Sequence, residues 1–193
     1  MRRFSEAISE GDGISLIVEV GDAAAAHAAA EAGAEAVFVL SGLEAKLEEI
    51  SRAIEIPIVF FFDGERPDAL VHADACIVDT KGESNRDWLE QVHVDLEGHE
   101  LALRVDDDEE LTFVLEEFDP EILILAGGDA EGEEALERVL DLLPDVPAGK
   151  LAIAELQVSS RDEVVALERA GVDGVIVRGG DVAELVGGAP PEV

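Results

Sequence analysis

Two stretches of the chain repeat one pattern, AAEAGAEAVFVLSG at residues 29–42 and LERAGVDGVIVRGG at residues 167–180. In each stretch a helical segment reaches an Ala-Gly pair, small or acidic residues follow, and an apolar run rich in β-branched residues comes next. Gly33 and Gly171 stand where a helix must stop and turn sharply into a strand, which glycine allows at low cost. The repeat predicts a helix–strand unit that recurs along the chain.

Eight short apolar runs of this kind occur, with amphipathic segments of helical period between them. The predicted strands lie within residues 14–20, 36–41, 56–62, 74–80, 100–105, 121–127, 150–156 and 174–180. The predicted helices lie within residues 22–33, 43–54, 84–95, 107–118, 131–143, 160–170 and 181–187, whereas the connection DGERPDALVHA leaves room for a turn or two. Near-continuous apolar strands are typical of parallel strands that are covered on both faces. The pattern predicts the α/β class and a single compact (β/α)8 TIM barrel with short loops over residues 1–187, with a frayed tail at residues 188–193.

Acidic residues dominate the composition: Asp and Glu total 46 against 13 Lys and Arg, for a formal net charge of −33. Such a chain repels phosphate backbones and anionic membranes, so neither nucleic acid nor a membrane is expected as a partner. The apolar runs are too short to cross a bilayer, and residues 1–13 lack the apolar stretch of a secretory signal. The single cysteine, Cys76, lies in the apolar run ACIV and suits a core position in a reducing cytoplasm. Acid spread over every predicted helix favours a cytoplasm of high salt content, with an ordinary acidic protein as the alternative.

Three of the 13 basic residues fall at predicted strand ends, Lys81, Arg104 and Arg178. In a (β/α)8 barrel the C-terminal strand ends and the loops after them, called the mouth here, carry the functional residues. Either these cations clamp a small anionic metabolite, or each pairs with a neighbouring carboxylate. Backbone N–H groups at Gly179 and Gly180, which precede the helical segment DVAEL, suit a phosphate. The predicted ligand-binding residues are therefore Ser41, Asp79, Arg104, Arg178, Gly179 and Gly180.

Two carboxylates, Glu19 and Glu155, stand within otherwise apolar strands. A carboxylate at such a position is costly unless it is paired or its pKa is raised, so each is a candidate general acid or base, or half of a structural ion pair. Lys81 ends the strand segment VDTK and is a candidate Schiff-base nucleophile, because desolvation activates a lysine. The predicted catalytic residues are Glu19, Glu155 and Lys81.

Neither a metal site nor a cofactor is predicted. His93, Asp95, Glu97 and His99 alternate in HVDLEGHE, but this segment precedes strand 5 and belongs to the end of the barrel opposite the mouth. The acidic run DDDEE at residues 106–110 is expected to cap the next helix and to favour its N-terminal dipole.

The chain resembles indole-3-glycerol phosphate synthase, a phosphate-binding barrel, over nearly its whole length. FSEAISEGDGISLIVEV is similar to that family's opening helix and first strand, and AIEIPIVFFFD to its third strand. LALRVDDDEELTFVLEEFDPEILILAGGD is similar to the run through strands 5 and 6, and LAIAELQVSSRDEVVALERAGVDGVIVRGG to the last two strands. The resemblance implies the barrel fold and a phosphate-binding mouth.

The resemblance also implies that most of the family's chemistry is absent. Gly21 and Phe61 stand where the family carries lysines, and Arg104 stands at the place of its strand-5 glutamate, whereas Glu19 and Glu155 are kept. The other departures from the family pattern are Ala126, Gly127, Leu156, Gln157, Arg178 and Gly179. The chain is therefore not expected to make indole-glycerol phosphate.

Three functions remain open from the sequence. The first is a divergent lyase, isomerase or binder that takes a small phosphorylated or carboxylated metabolite, with arginines left free in an open pocket. The second is a catalytically silent barrel that serves as a structural or regulatory subunit, alone or in an oligomer with a related barrel, with its mouth closed by Glu–Arg pairs. The third is a Schiff-base lyase that uses Lys81.

Overall fold

The computed structural model describes residues 4–9, 13–64, 68–82, 85–158, 160–178 and 182–186. Within these residues eight strands pair in parallel and in chain order, and β8 pairs with β1 to close a barrel. The strands are β1 (Ser15–Glu19), β2 (Ala36–Val39), β3 (Ile58–Phe62), β4 (Ala75–Asp79), β5 (Glu100–Val105), β6 (Ile122–Ala126), β7 (Leu151–Glu155) and β8 (Gly174–Val177). The predicted (β/α)8 architecture is confirmed. The tail at residues 188–193 lies outside the described residues.

Within the described residues one α-helix precedes β1, and the other α-helices follow β1, β2 and β4 to β8. They are α1 (Phe4–Ser9), α2 (Ala23–Glu31), α3 (Leu47–Ala53), α4 (Arg86–Asp95), α5 (Asp108–Glu117), α6 (Gly132–Leu142), α7 (Arg161–Ala170) and α8 (Val182–Val186). The segment predicted as one helix at residues 43–54 begins with a 3₁₀ turn at Glu44–Lys46, and the short connection after β3 carries another at Asp68–His72. No helix within the described ranges has the length and apolar character needed to cross a membrane.

Capping side chains begin α5 and α7, and glycines follow the ends of α2 and α7. The Asp107 side chain accepts a hydrogen bond from the N–H of Glu110 at the start of α5, which confirms the expected cap in DDDEE. Ser160 and Glu163 form a reciprocal capping box on α7. Gly171 ends that helix with a φ of 101°, and Gly33, just after α2, has a φ of 97°. Both glycines therefore stop helices as predicted.

Two apolar layers hold the barrel together. One lies between the sheet and the helices, and it contains Cys76 and Phe62, both buried. The other fills the barrel interior with alternate strand residues such as Ile17, Ile77 and Ile153. Because side chains alternate along a strand, the next inward position on each strand lies two residues further towards the mouth.

Helix α1 closes the end of the barrel opposite the mouth. Its Phe4 and Ile8 are buried within the interior layer. Glu100 begins β5 on the inward face, and its Oε2 accepts hydrogen bonds from the N–H groups of Phe4 (2.5 Å) and Ser5 (3.2 Å). The Ser15 hydroxyl donates to the carbonyl of Ile8 at 3.2 Å. Nothing in the sequence pattern predicted that Glu100 anchors this helix.

Candidate ligand site at the mouth of the barrel

Charged side chains occupy the inward positions nearest the mouth. Glu19, Asp79 and Glu155 end β1, β4 and β7, and Arg104 lies one residue before the end of β5. Asp79 stands beside Arg104 in the register, and Glu155 is two residues beyond the inward Ile153. Arg178 immediately follows β8, two residues beyond the inward Ile176. The strand register therefore gathers five of the predicted site residues at one end of the barrel.

Glu155 is the centre of this charged group. Its side chain is 7% exposed, and its Oε2 accepts a hydrogen bond from Nε of Arg104 at 2.5 Å. Its other oxygen, Oε1, accepts a hydrogen bond from Nη2 of Arg178. One buried carboxylate thus holds a guanidinium group from β5 and another from the end of β8, in charge-assisted hydrogen bonds.

Arg104 has further acidic neighbours. Its Nη1 lies 2.8 Å from Oδ1 of Asp106 and 3.5 Å from Oδ1 of Asp79, and its side chain is 16% exposed. Burial lowers the pKa of the guanidinium, but the carboxylates of Glu155, Asp106 and Asp79 outweigh burial and raise the pKa above its ordinary value. Arg104 is therefore a permanent cation in the wall of the mouth.

Arg178 is more accessible. Its side chain is 51% exposed, and its Nε lies 3.4 Å from Oε2 of Glu19. The network thus contains four carboxylates, those of Glu19, Asp79, Asp106 and Glu155, against two guanidinium groups. Its formal charge is −2 before any ligand binds.

A cavity of about 450 Å³ adjoins the network between the loops that follow β6 and β7. Its lining includes Arg104, Glu155 and Arg178 at the strand ends and residues 127–132, which follow β6. The volume falls in the range of about 300–1,000 Å³ that is usual for small-molecule sites. Gly127 lets the β6 loop approach α6, because a Cβ there would lie 2.6 Å from the Cβ of Ala135.

Two further predicted residues, Ser41 and Lys81, are absent from the described lining of the cavity. Ser41 lies just beyond β2 and is half-buried. Lys81 is exposed and has a φ of 51°, so its side chain lacks the desolvation on which the Schiff-base hypothesis relied. Gly179 and Gly180 lie outside the described residues. The roles predicted for these four residues remain predictions.

Two residues at strand ends of the mouth, Asp106 and Thr80, were not selected as site residues from the sequence. Asp106 was interpreted as part of a helix cap, yet it pairs with Arg104. The signal was present, since residues 102, 104 and 106 share one face of an extended segment. Thr80 is fully buried and donates its hydroxyl to the carbonyl of Arg104 at 2.9 Å, which joins the ends of β4 and β5.

The acidic and histidine-containing segment at residues 93–99 lies at the opposite end of the barrel from the mouth, as predicted. Within the described parts of the chain, no group of three or more His, Cys, Asp or Glu side chains is arranged to hold a metal ion. His99 instead places Nε2 3.1 Å from the carbonyl oxygen of Leu70. This segment comprises the last residues of α4 and the connection to β5.

No protein-family model matches the chain, and no curated protein is significantly similar to it in sequence. The resemblance to indole-3-glycerol phosphate synthase is therefore unsupported by a family match. What is shown is an eight-stranded parallel barrel of the TIM type with a charged mouth.

Proposed function

We propose that the chain is a catalytically silent barrel that serves as a structural or regulatory subunit. The observation that supports this proposal is the double pairing of Glu155 with Arg104 and Arg178. To act as a base, this carboxylate has to give up charge-assisted hydrogen bonds to two cations. Glu19, the other candidate base, lies in an ion pair with Arg178.

Two positions at which the resemblance places lysines also support the proposal. Phe61 packs edge-on against Phe38, with the ring centroids 6.4 Å apart, where the resemblance places a lysine acid. Gly21, which stands where the family carries its other lysine, has no side chain. The mouth therefore lacks both ammonium groups that the ring closure of indole-3-glycerol phosphate synthase requires by that resemblance.

The test is an activity assay on the purified protein in molar KCl with the substrate of indole-3-glycerol phosphate synthase. We expect no indole-glycerol phosphate above the level formed by heat-denatured protein. An active synthase in the same assay, at a salt concentration that it tolerates, serves as the positive control. Product formation that disappears in Glu155→Gln would overturn the proposal.

A second candidate function is the binding of a small anionic metabolite at the mouth. It is favoured by the cavity of about 450 Å³, because half-exposed Arg178 forms part of its wall. A ligand that binds only the folded state raises the melting temperature. We therefore expect a phosphate ester, sulfate or a small carboxylate to raise the melting temperature of the native protein but not that of Arg178→Ala. The absence of a shift with every member of the panel would remove this candidate.

We also propose that the protein works in a cytoplasm of high salt content. A formal net charge of −33 on 193 residues opposes folding through self-repulsion, and salt at about 1 M reduces the screening length to about 3 Å. The melting temperature is expected to rise steadily with KCl concentration. A melting temperature that is independent of KCl would contradict this proposal.

A further inference from the structure

The charged residues that line the mouth cavity come from two parts of the chain: the strand ends, called the strand side here, and the loop after β6, called the loop side. On the strand side lie Arg104 and Arg178, both held by Glu155. On the loop side lie Asp129 and Glu131, whose side chains are exposed. Glu131 occupies the N-cap position of α6, but its side chain makes no capping hydrogen bond there.

The two loop carboxylates differ from those of the network in their surroundings. Within the described residues, neither Asp129 nor Glu131 has an ion pair or a side-chain hydrogen bond, whereas Glu155 has two guanidinium partners. A positive group in the cavity would therefore gain a partner at the loop side without breaking an existing contact. A negative group has Arg178 as its accessible partner, since half of that side chain is exposed.

A purely anionic ligand finds a partner in Arg178 but none in the carboxylates of Asp129 and Glu131. The described lining carries the three carboxylates of Asp129, Glu131 and Glu155 against two guanidinium groups, which is a formal excess of one negative charge. An added anion increases that excess and competes with Glu155 and Glu19 for Arg178. A ligand that also carries an ammonium group adds less negative charge, and its two charged groups find partners in Arg178 and in the loop carboxylates.

We propose that the mouth takes a zwitterionic small molecule of the amino-acid or aminophosphonate class. Its carboxylate or phosphonate contacts Arg178, and its ammonium group faces Asp129 and Glu131. This inference rests on the second candidate function, the ligand site at the mouth, and it names the ligand class of that site.

The experiment is calorimetric titration with ligand pairs that differ by one ammonium group. The pairs are β-alanine with propionate and 2-aminoethylphosphonate with ethylphosphonate, in the lowest KCl concentration that keeps the protein folded. We expect the aminated member of each pair to bind about tenfold more tightly, because two exposed carboxylates each contribute modestly. Putrescine, which carries ammonium groups without an anion, is expected to bind more weakly than either zwitterion.

Variants separate the two sides of the cavity. Asp129→Asn combined with Glu131→Gln should abolish the preference for the aminated member, whereas Glu137→Gln, an exposed position on α6 outside the lining, should leave the preference unchanged. Arg178→Ala should abolish binding of both members of each pair. If circular dichroism shows that Arg178→Ala is unfolded, Arg178→Lys is used in its place.

Each other outcome overturns the inference in a distinguishable way. If propionate and ethylphosphonate bind as tightly as their aminated partners, the zwitterion is wrong and the anion site stands. If putrescine binds as tightly as the zwitterions, the cavity is a cation site. If no probe binds, both the inference and the second candidate function fail.

Discussion

Replacing Glu155 by glutamine tests whether the charged network at the mouth stabilises the fold. Glutamine has nearly the shape of glutamate, so the substitution removes one negative charge and little volume. Arg104 then keeps Asp79 and Asp106 as partners, and Arg178 keeps Glu19. Both guanidinium groups lose the carboxylate that joins them.

The burial of Glu155 sets the size of the effect. Removing one partner of a fully buried ion pair costs about 3–5 kcal/mol. Because each arginine retains another carboxylate, we expect the lower value of about 2–3 kcal/mol for Glu155→Gln. For a chain of this length, that loss corresponds to a fall in melting temperature of about 4–12 °C.

The assay is urea and thermal unfolding in molar KCl, followed by circular dichroism, with Glu137→Gln as the matched control. The control removes the same charge from an exposed helix position and should change the free energy of unfolding by less than about 0.5 kcal/mol. A double-mutant cycle of Glu155→Gln with Arg104→Met should give a coupling energy of about 1–2 kcal/mol. A Glu155→Gln variant as stable as the control, or a cycle that is additive, would refute the reasoning.

Three further predictions concern packing and charge elsewhere in the barrel. Phe4→Ala should lower the free energy of unfolding by about 3–5 kcal/mol, because it opens a cavity where α1 closes the end of the barrel. A loss below about 1 kcal/mol, measured by urea unfolding, would contradict this packing of Phe4. Gly127→Ala should lower the free energy of unfolding by about 1–3 kcal/mol, because the added Cβ would lie 2.8 Å from the backbone of α6. Gly21→Ala, which has open space around the added Cβ, should leave the free energy of unfolding almost unchanged in the same measurement. Burial, with a smaller contribution from neighbouring carboxylates, raises the pKa of Glu110 above its ordinary value of 4.5, against the opposing hydrogen bond from the N–H of Asp106. The folded state therefore loses stability as the pH rises from about 4.5 through the raised pKa, so the stability of Glu110→Gln relative to the native protein should increase as the pH rises above about 4.5. A difference in stability that is constant with pH would contradict this assignment.

Local patterns of the sequence were enough to predict the fold. Apolar runs of strand length, helical periods between them and glycines at helix ends identify each unit, and eight such units in succession favour a closed barrel over an open sheet. The same alternation predicted that Glu19, Asp79, Arg104, Glu155 and Arg178 gather at the mouth. These features depend on neighbours within a few residues of each other, which is why one sequence suffices to predict them.

The pairing among those charges was decided by the tertiary structure. Glu155 joins Arg104, 51 residues before it, with Arg178, 23 residues after it, and the sequence left open whether these arginines bind a ligand or a carboxylate. The anchoring of α1 by Glu100, 96 residues from Phe4, is equally invisible along the chain. Such partners are set by the register and closure of the barrel, which place particular side chains within a few ångströms of each other. Composition and periodicity determine which face a residue occupies, but the closed sheet determines what it meets there.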